Sequence, residues 1–243
     1  MLTFTVESPP QTTAPAGAPA ALKGETTVQE PDRLGRALAR RVAEARATVP
    51  DLELERRIDA GAILAQTRDR GCSVTAVLAR ACAIALRDCP RANAAYRDGR
   101  YELHSRVNLG IAVLAVLAGE GQLTPTVFDA DAKSVEQLSE EIACLTERAR
   151  GGVLTPPEQA GATFILADLG ELGVDRWSTP PATTQAATLT AGSIRPAAVV
   201  REGALVAGHE LSLTLVCDHR VLYGAGAAEV LTRIAQLLES PRR

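Results

Sequence analysis

The sequence predicts an α/β sandwich, and three observations lead there. Segments with apolar residues at helical spacing alternate along the chain with short runs of strand character. The stretch from Leu211 to Leu238 joins one of each through a short polar junction. A chain of 243 residues that is 46% hydrophobic and 23% charged can bury one sizeable core, and no internal repeat divides it.

Taken in order, residues 7–30 are rich in Pro, Ala, Thr, Gln and Gly and offer little apolar surface to bury, so residues 1–30 read as a flexible arm ahead of one domain over 31–243. From Arg33 to Arg46, Leu34, Leu38, Val42 and Ala45 fall on one helical face among arginines. A buried, alanine-rich helix is expected over Cys72–Leu86, with Ser73 as its N-cap. Leu109–Leu117 is almost continuously apolar, as in a strand covered on both faces, and Gly119-Glu120-Gly121 breaks it. Ser134–Arg150 reads as a helix facing Val135, Leu138, Ile142 and Leu145 inward, with its acidic residues mainly in the first half, where the dipole favours them. Strands follow at Thr163–Leu166, Ala187–Thr190 and Ala197–Val200. In the last strand Leu211, Leu213, Leu215 and Cys217 alternate with Ser212, Thr214 and Val216, so one face is expected to be buried. Gly224, Ala225 and Gly226 suggest a tight turn, and Val230, Leu231, Ile234, Leu237 and Leu238 recur on one face of a closing helix.

Net charge near −3 gives no broad basic field, so neither nucleic acid nor an anionic membrane is an expected partner. No apolar run is long enough to span a bilayer, and the start lacks a secretion signal. The five cysteines (72, 82, 89, 144 and 217) have no paired spacing and read as buried free thiols in a reducing cytosol, so a cytoplasmic location is expected. The three histidines are too scattered to make a metal site. Neither a phosphate-binding Gly-x-x-x-x-Gly-Lys loop nor a Gly-x-Ser-x-Gly elbow occurs.

His219 stands out. It lies between Asp218 and Arg220 where the last strand ends, and such a junction fixes the backbone around an imidazole, a group suited to proton transfer near neutral pH. His104, in a charged stretch expected to be exposed, and His209, expected in a turn before the last strand, are weaker candidates.

The segment Asp218-His219-Arg220 followed by Gly224 resembles the signature of the catalytic domain of dihydrolipoamide acyltransferases, whose relatives include chloramphenicol acetyltransferase. Further blocks resemble that family in order: Arg36–Ala45, Thr48-Val49-Pro50, Pro90–Ala94, Val107–Val113, Leu123-Thr124-Pro125, Leu145–Gly152 and Gly161–Gly170. The resemblance implies a two-layer sandwich with a mixed sheet, assembly as a homotrimer or larger, sites between subunits, and His219 as general base. Asp218, Arg220 and Gly224 would then support the histidine loop. Two departures fall at the site. Tyr223 stands where the family has an aspartate that pairs with an arginine of the opening helix, leaving Arg36 or Arg40 without that partner. Ala167 stands where the family has a serine that donates to the oxyanion, with Asp168 at the neighbouring asparagine; losing one such donor costs about 10² to 10³ in rate. A hydroxyl of Ser178, Thr183 or Thr184 would be the replacement.

The implied activity is transfer of an acyl group, acetyl being the simplest, from acyl-CoA to a hydroxyl or thiol, with no covalently bound cofactor. Because residues 1–30 leave no room for a lipoyl domain, the expected enzyme is free-standing and acts on a small-molecule or carrier-bound acceptor, as in specialised metabolism. Two alternatives stand beside it: the core of a 2-oxoacid dehydrogenase complex served by a separate lipoyl protein, and a degenerate scaffold of the same fold.

Overall fold

The structure, a computed structural model, describes residue 24 and residues 26–115 and 121–240. Most of the expected arm, the end of the apolar run at 116–117 and the Gly119-Glu120 break lie outside the described residues. The elements run α1 (Arg33–Thr48), β1 (Asp51–Asp59), α2 (Gly61–Arg70), α3 (Val74–Asp88), β2 (Ala94–Arg97), β3 (Arg100–Leu103), β4 (Leu109–Ala115), β5 (Gly121–Leu123), β6 (Thr126–Val127), α4 (Val135–Arg150), β7 (Phe164–Asp168), β8 (Ala187–Ala191), β9 (Arg195–Arg201), β10 (Ala204–Asp218) and α5 (Gly224–Glu239).

The main sheet is mixed, in the order β1-β10-β8-β7-β4-β5, with β6 on β4 and β9 on β10. Strands β4, β7 and β8 run parallel, while β10 is antiparallel to both β8 and β1. Helices α3, α4 and α5 pack on one another and against the sheet. Their apolar faces meet the strands in a single core built on Leu78, Leu86, Leu138, Phe164, Leu166, Leu189, Leu213, Leu215 and Ile234, all fully buried. The expected cap is present, the Ser73 hydroxyl accepting from the amide of Ala76, and Ser134 adds a reciprocal capping box with Gln137.

Strand β10 is more deeply enclosed than its alternation suggests. Leu211, Leu213, Leu215 and Cys217 face the helices as expected, yet Thr214 and Val216 on the opposite face are buried too. The segment 169–186 accounts for this by crossing that second face. Thr190 donates to the carbonyl of Trp177 (2.6 Å), the Trp177 indole donates to the carbonyl of Ala191 (3.2 Å), and Arg176 pairs with Glu53 and Glu55 on the outer face of β1. Gly192 permits the close approach, because a Cβ there would stand 2.0 Å from the carbonyl oxygen of Asp175.

Several elements were not anticipated, among them β1, α2 and the β2–β3 hairpin. β1 carries Leu52, Leu54 and Ile58 at period two, a readable pattern obscured by its charges. α2 buries only Ile63, so its amphipathic signal is weak. The β2–β3 hairpin turns through Asp98 and Gly99, both with positive φ, which is the strongest short-range hairpin signal in the chain.

Candidate active site

Strand β10 ends at Asp218 in a loop tied down at nearly every backbone group. The Asp218 amide donates to the carbonyl of Ala186 (2.8 Å), and its carbonyl accepts from Val221 (2.9 Å) and Leu222 (3.0 Å). The amide of His219 donates to the carbonyl of Pro50 (2.8 Å), so the joint between α1 and β1 braces the loop from the side. Asp218 is almost wholly buried and accepts from three donors of Arg220: the backbone amide (3.0 Å), Nε (2.9 Å to one oxygen, 3.2 Å to the other) and Nη2 (2.6 Å). Val221 and Leu222 are buried anchors, and between these fixed points the His219 side chain is exposed. The turn is therefore made by 218–222. Gly224, Ala225 and Gly226 belong to α5 and have no left-handed φ, and a Cβ at Gly224 would meet nothing. The expectation of a glycine-dependent turn is corrected accordingly, and within one chain the structure gives no steric need for Gly224.

His219 opens on a cleft of about 410 Å³ lined by Pro50, Tyr96, Tyr101, Arg220 and Tyr223. All three tyrosines of the chain are gathered here. The Arg220 guanidinium lies 4.4 Å above the ring of Tyr96, and Arg91 lies 4.6 Å from the ring centre of Tyr101 and 5.7 Å from that of Tyr223. The rings of His219 and Tyr223 meet edge-on at 6.0 Å. A hydrogen bond between the Tyr223 and Tyr101 hydroxyls (3.4 Å) pushes the Tyr223 phenol above its usual range, so it is neutral near pH 7. Burial, with Asp218 adding to it, pushes the neighbouring thiol of Cys217 up to about 12, so that thiol is protonated near neutral pH. Tyr96, Tyr101 and Arg91 were missed in the sequence. The signal lay in the Asp-Gly turn, whose register sets Tyr96 directly opposite Tyr101.

Other expected site residues lie elsewhere. Arg36 donates to the carbonyl of Pro31 (2.8 Å) and does not line the cleft; Arg91 is the arginine beside Tyr223. Ala167 is fully buried in β7. Through the ladder Ala167–Thr190–Thr214 it stands roughly 17 Å along β10 and about 10 Å across from His219 of the same chain. Asp168 ties β7 to α3, accepting from the Thr75 hydroxyl (3.1 Å) and the Gly170 amide (2.8 Å). Ser178, Thr183 and Thr184 do not line the histidine cleft either; Thr184 borders a separate groove of about 540 Å³ on the other side of the β2–β3 hairpin, together with half-buried His104. His209 is exposed within β10, paired with Pro196, and not in a turn. Cys72, Cys82 and Cys217 are buried as expected, but Cys89 is half-buried and Cys144 exposed, because Cys144 points away from the inward stripe of α4. No group of metal-ligating side chains and no helix long and apolar enough to cross a membrane is found among the described residues.

Asp168 provides a stability test. Burial outweighs its two hydrogen bonds and holds its carboxyl above the usual range. For an acid whose folded pKa is raised, the penalty is fully present above that pKa and disappears as pH falls through the ordinary carboxylate range. Asp168→Asn retains an acceptor for Gly170 and offers Thr75 a donor. It is expected to stabilise the fold by about 1 kcal/mol at pH 8, with the gain vanishing near pH 4. Urea unfolding at the two pH values checks this, and a loss of stability at pH 8 would contradict it.

The chain matches the family described as 2-oxoacid dehydrogenases acyltransferase (catalytic domain) over residues 23–243. It is 34% identical over 185 residues to component 5 of the chloroplastic pyruvate dehydrogenase complex of Arabidopsis thaliana, a dihydrolipoyllysine-residue acetyltransferase, covering 74% of this chain and 39% of that one. With the corresponding acetyltransferase component of Bacillus subtilis it shares 33% over 240 residues, covering 94% and 54%. The chain thus spans about half the length, or less, of these curated relatives. Among solved structures, the Azotobacter vinelandii dihydrolipoamide acetyltransferase, studied for the catalytic role of a serine, a histidine and an asparagine, superposes with a TM-score of 0.84 at 26% identity, covering 94% of this chain and 98% of that one. The cubic core of the pyruvate dehydrogenase multienzyme complex matches equally, with a TM-score of 0.84 at 27% identity and the same coverage. Chloramphenicol acetyltransferase shares the fold, with a TM-score of 0.56 at 14% identity over 82% of this chain and 94% of that one. With its mixed sheet, its histidine loop and this match along nearly its whole length, the chain belongs to the 2-oxoacid dehydrogenase acyltransferase family through that family's catalytic domain.

Proposed function

We propose that the chain is the acyltransferase core of a 2-oxoacid dehydrogenase complex, exchanging an acetyl group between coenzyme A and a dihydrolipoyl thiol carried by a lipoyl domain. The observation that carries this reading is the exposed imidazole of His219 on a loop whose backbone is pinned by Pro50, Ala186 and Asp218. The expectation of a free-standing enzyme of specialised metabolism gives way here, because the relatives reported above are named as dihydrolipoyllysine acetyltransferases of pyruvate dehydrogenase complexes. A location in the cytoplasm and the division into an arm over 1–30 and a catalytic unit over 31–243 belong to the same proposal.

In the transfer, a nitrogen of His219 takes the proton of the attacking thiol as its sulfur adds to the thioester carbonyl. The tetrahedral intermediate collapses, the carbon–sulfur bond to the leaving thiol breaks, and the imidazolium returns the proton to that sulfur. Both substrates meet in one channel, so proximity supplies much of the acceleration and no acyl-enzyme forms. Asp218 and Arg220 hold the loop. Since Ala167 lies so far from His219 of its own chain, the oxyanion region, Ala167 and Asp168 with Ser178, Thr183 or Thr184, is proposed to face the histidine of a neighbouring chain in a homotrimer or larger assembly. The directly opposed and exposed apolar pair Val200 and Leu205, and Val42 on the apolar stripe of α1, support such an assembly.

Incubation with acetyl-CoA and dihydrolipoamide tests the reading. Expected are saturable formation of S-acetyldihydrolipoamide with equimolar release of coenzyme A, and a sedimentation mass that is a multiple of three chains. Turnover with small alcohols but not with dihydrolipoamide would return the free-standing enzyme. No turnover with any acceptor would leave the scaffold.

A further inference from the structure

We infer that Arg91 is a positioning residue for His219, a brace that holds the histidine loop from a separate turn of the chain. The inference rests on the proposed role of His219 as the base. Tyr223 occupies the N-cap of α5 but makes no side-chain cap, so the first turn of that helix gives the histidine loop no hold through residue 223 of the kind a short polar side chain provides. Arg91 supplies one from the outside. Its Nη2 donates to the carbonyl of Val221 (2.7 Å), midway between His219 and Tyr223, while its guanidinium plane is held against Tyr101 and Tyr223.

Three further observations support this role. Pro90 starts the short 3-10 turn Pro90–Ala92 that delivers Arg91, and Ala92 and Asn93 behind it are buried, so the stem of Arg91 is fixed at its base. Asn93 in turn donates to the carbonyls of His104 and Arg106 beyond the β2–β3 hairpin, which anchors Tyr101 to the same frame. Finally, among the described residues Arg91 has no carboxylate within salt-bridge distance, whereas Arg220 is bound to Asp218. Its orientation is thus set by the loop carbonyl and the two rings, and through them it acts on the histidine.

Arg91→Met, which keeps the length of the stem and removes the guanidinium, is the deciding variant, with Arg91→Lys as the conservative partner. Thermal unfolding and sedimentation establish that both retain the fold and assembly. For Arg91→Met, kcat is expected to fall about 10- to 100-fold, with KM for acetyl-CoA and for dihydrolipoamide unchanged. Amide exchange at residues 219–222 should accelerate at least tenfold, and Arg91→Lys should recover part of both losses. An unchanged kcat, or a raised KM at constant kcat, would overturn the inference and make Arg91 a bystander or a substrate contact. Should the wild type show no transferase activity, the proposed function fails on its own, and the exchange measurement alone decides the brace: acceleration supports it, and unchanged protection overturns it.

Discussion

Replacing His219 with alanine is expected to lower acetyl transfer by about 10² to 10⁴-fold, the range that one positioned acid–base group contributes. The loss should fall on kcat, because the imidazole handles a proton in the transition state and contributes little to holding either substrate in the ground state. Stability should scarcely change: the side chain is exposed, and the loop is held through the backbone of 218–222, which alanine retains. Residual activity is expected as well, since the channel still brings the two substrates together. His209→Ala is the matched control. That residue is exposed within β10, well back along the strand from the cleft, so its removal should leave the rate within about twofold and the stability within about 0.5 kcal/mol. Steady-state kinetics with thiol detection separates the two. Equal rates for the wild type and His219→Ala would remove the general base from the proposed mechanism.

The strand end that carries His219 was legible in the sequence, and the rest of the candidate site was not, for a physical cause. The strand, the Asp-His-Arg junction and the closing helix depend on local periodicity and appear almost where expected, although the turn is built by hydrogen bonds to Asp218 and not by glycines. The helices α3 and α4, with Ser73 and Ser134 as caps, are likewise local properties. What sequence periodicity misses is convergence. Pro50, from one segment remote in sequence, and Tyr96 and Tyr101, from another, reach the His219 cleft, with Arg91 against the tyrosine rings, and only tertiary packing brings them together. The same applies to the second face of β10. Thr214 and Val216 look like a solvent face until segment 169–186 crosses it, an event encoded by the close approach at Gly192 and by Trp177, with no period of its own. Composition still held a clue: in a chain with 3% aromatic residues, the three tyrosines lie in a single cleft.

The Asp218–Arg220 pair predicts an asymmetry that a simple count of ion pairs would miss. The Asp218 side chain is 3% exposed and that of Arg220 33%. Arg220→Ala therefore strands a buried carboxylate with one backbone amide as its partner, the situation in which breaking a pair costs about 3 to 5 kcal/mol. Asp218→Ala leaves a guanidinium that already touches water and lies on Tyr96, so it regains hydration while keeping its stacking; the expected cost is about 1 to 2 kcal/mol. The double variant removes the stranded charge altogether and should unfold close to Asp218→Ala, more stable than Arg220→Ala alone. Urea unfolding of the three variants measures the ranking. Because the carbonyl of residue 218 continues to accept from Val221 and Leu222 in every one of them, the loop persists, and each variant should retain transfer activity at temperatures where it remains folded. A greater loss for Asp218→Ala than for Arg220→Ala would mean that the carboxylate is not the buried partner, and that the strand end carrying His219 is held by Arg220 stacking on Tyr96 and not by the ion pair beneath it.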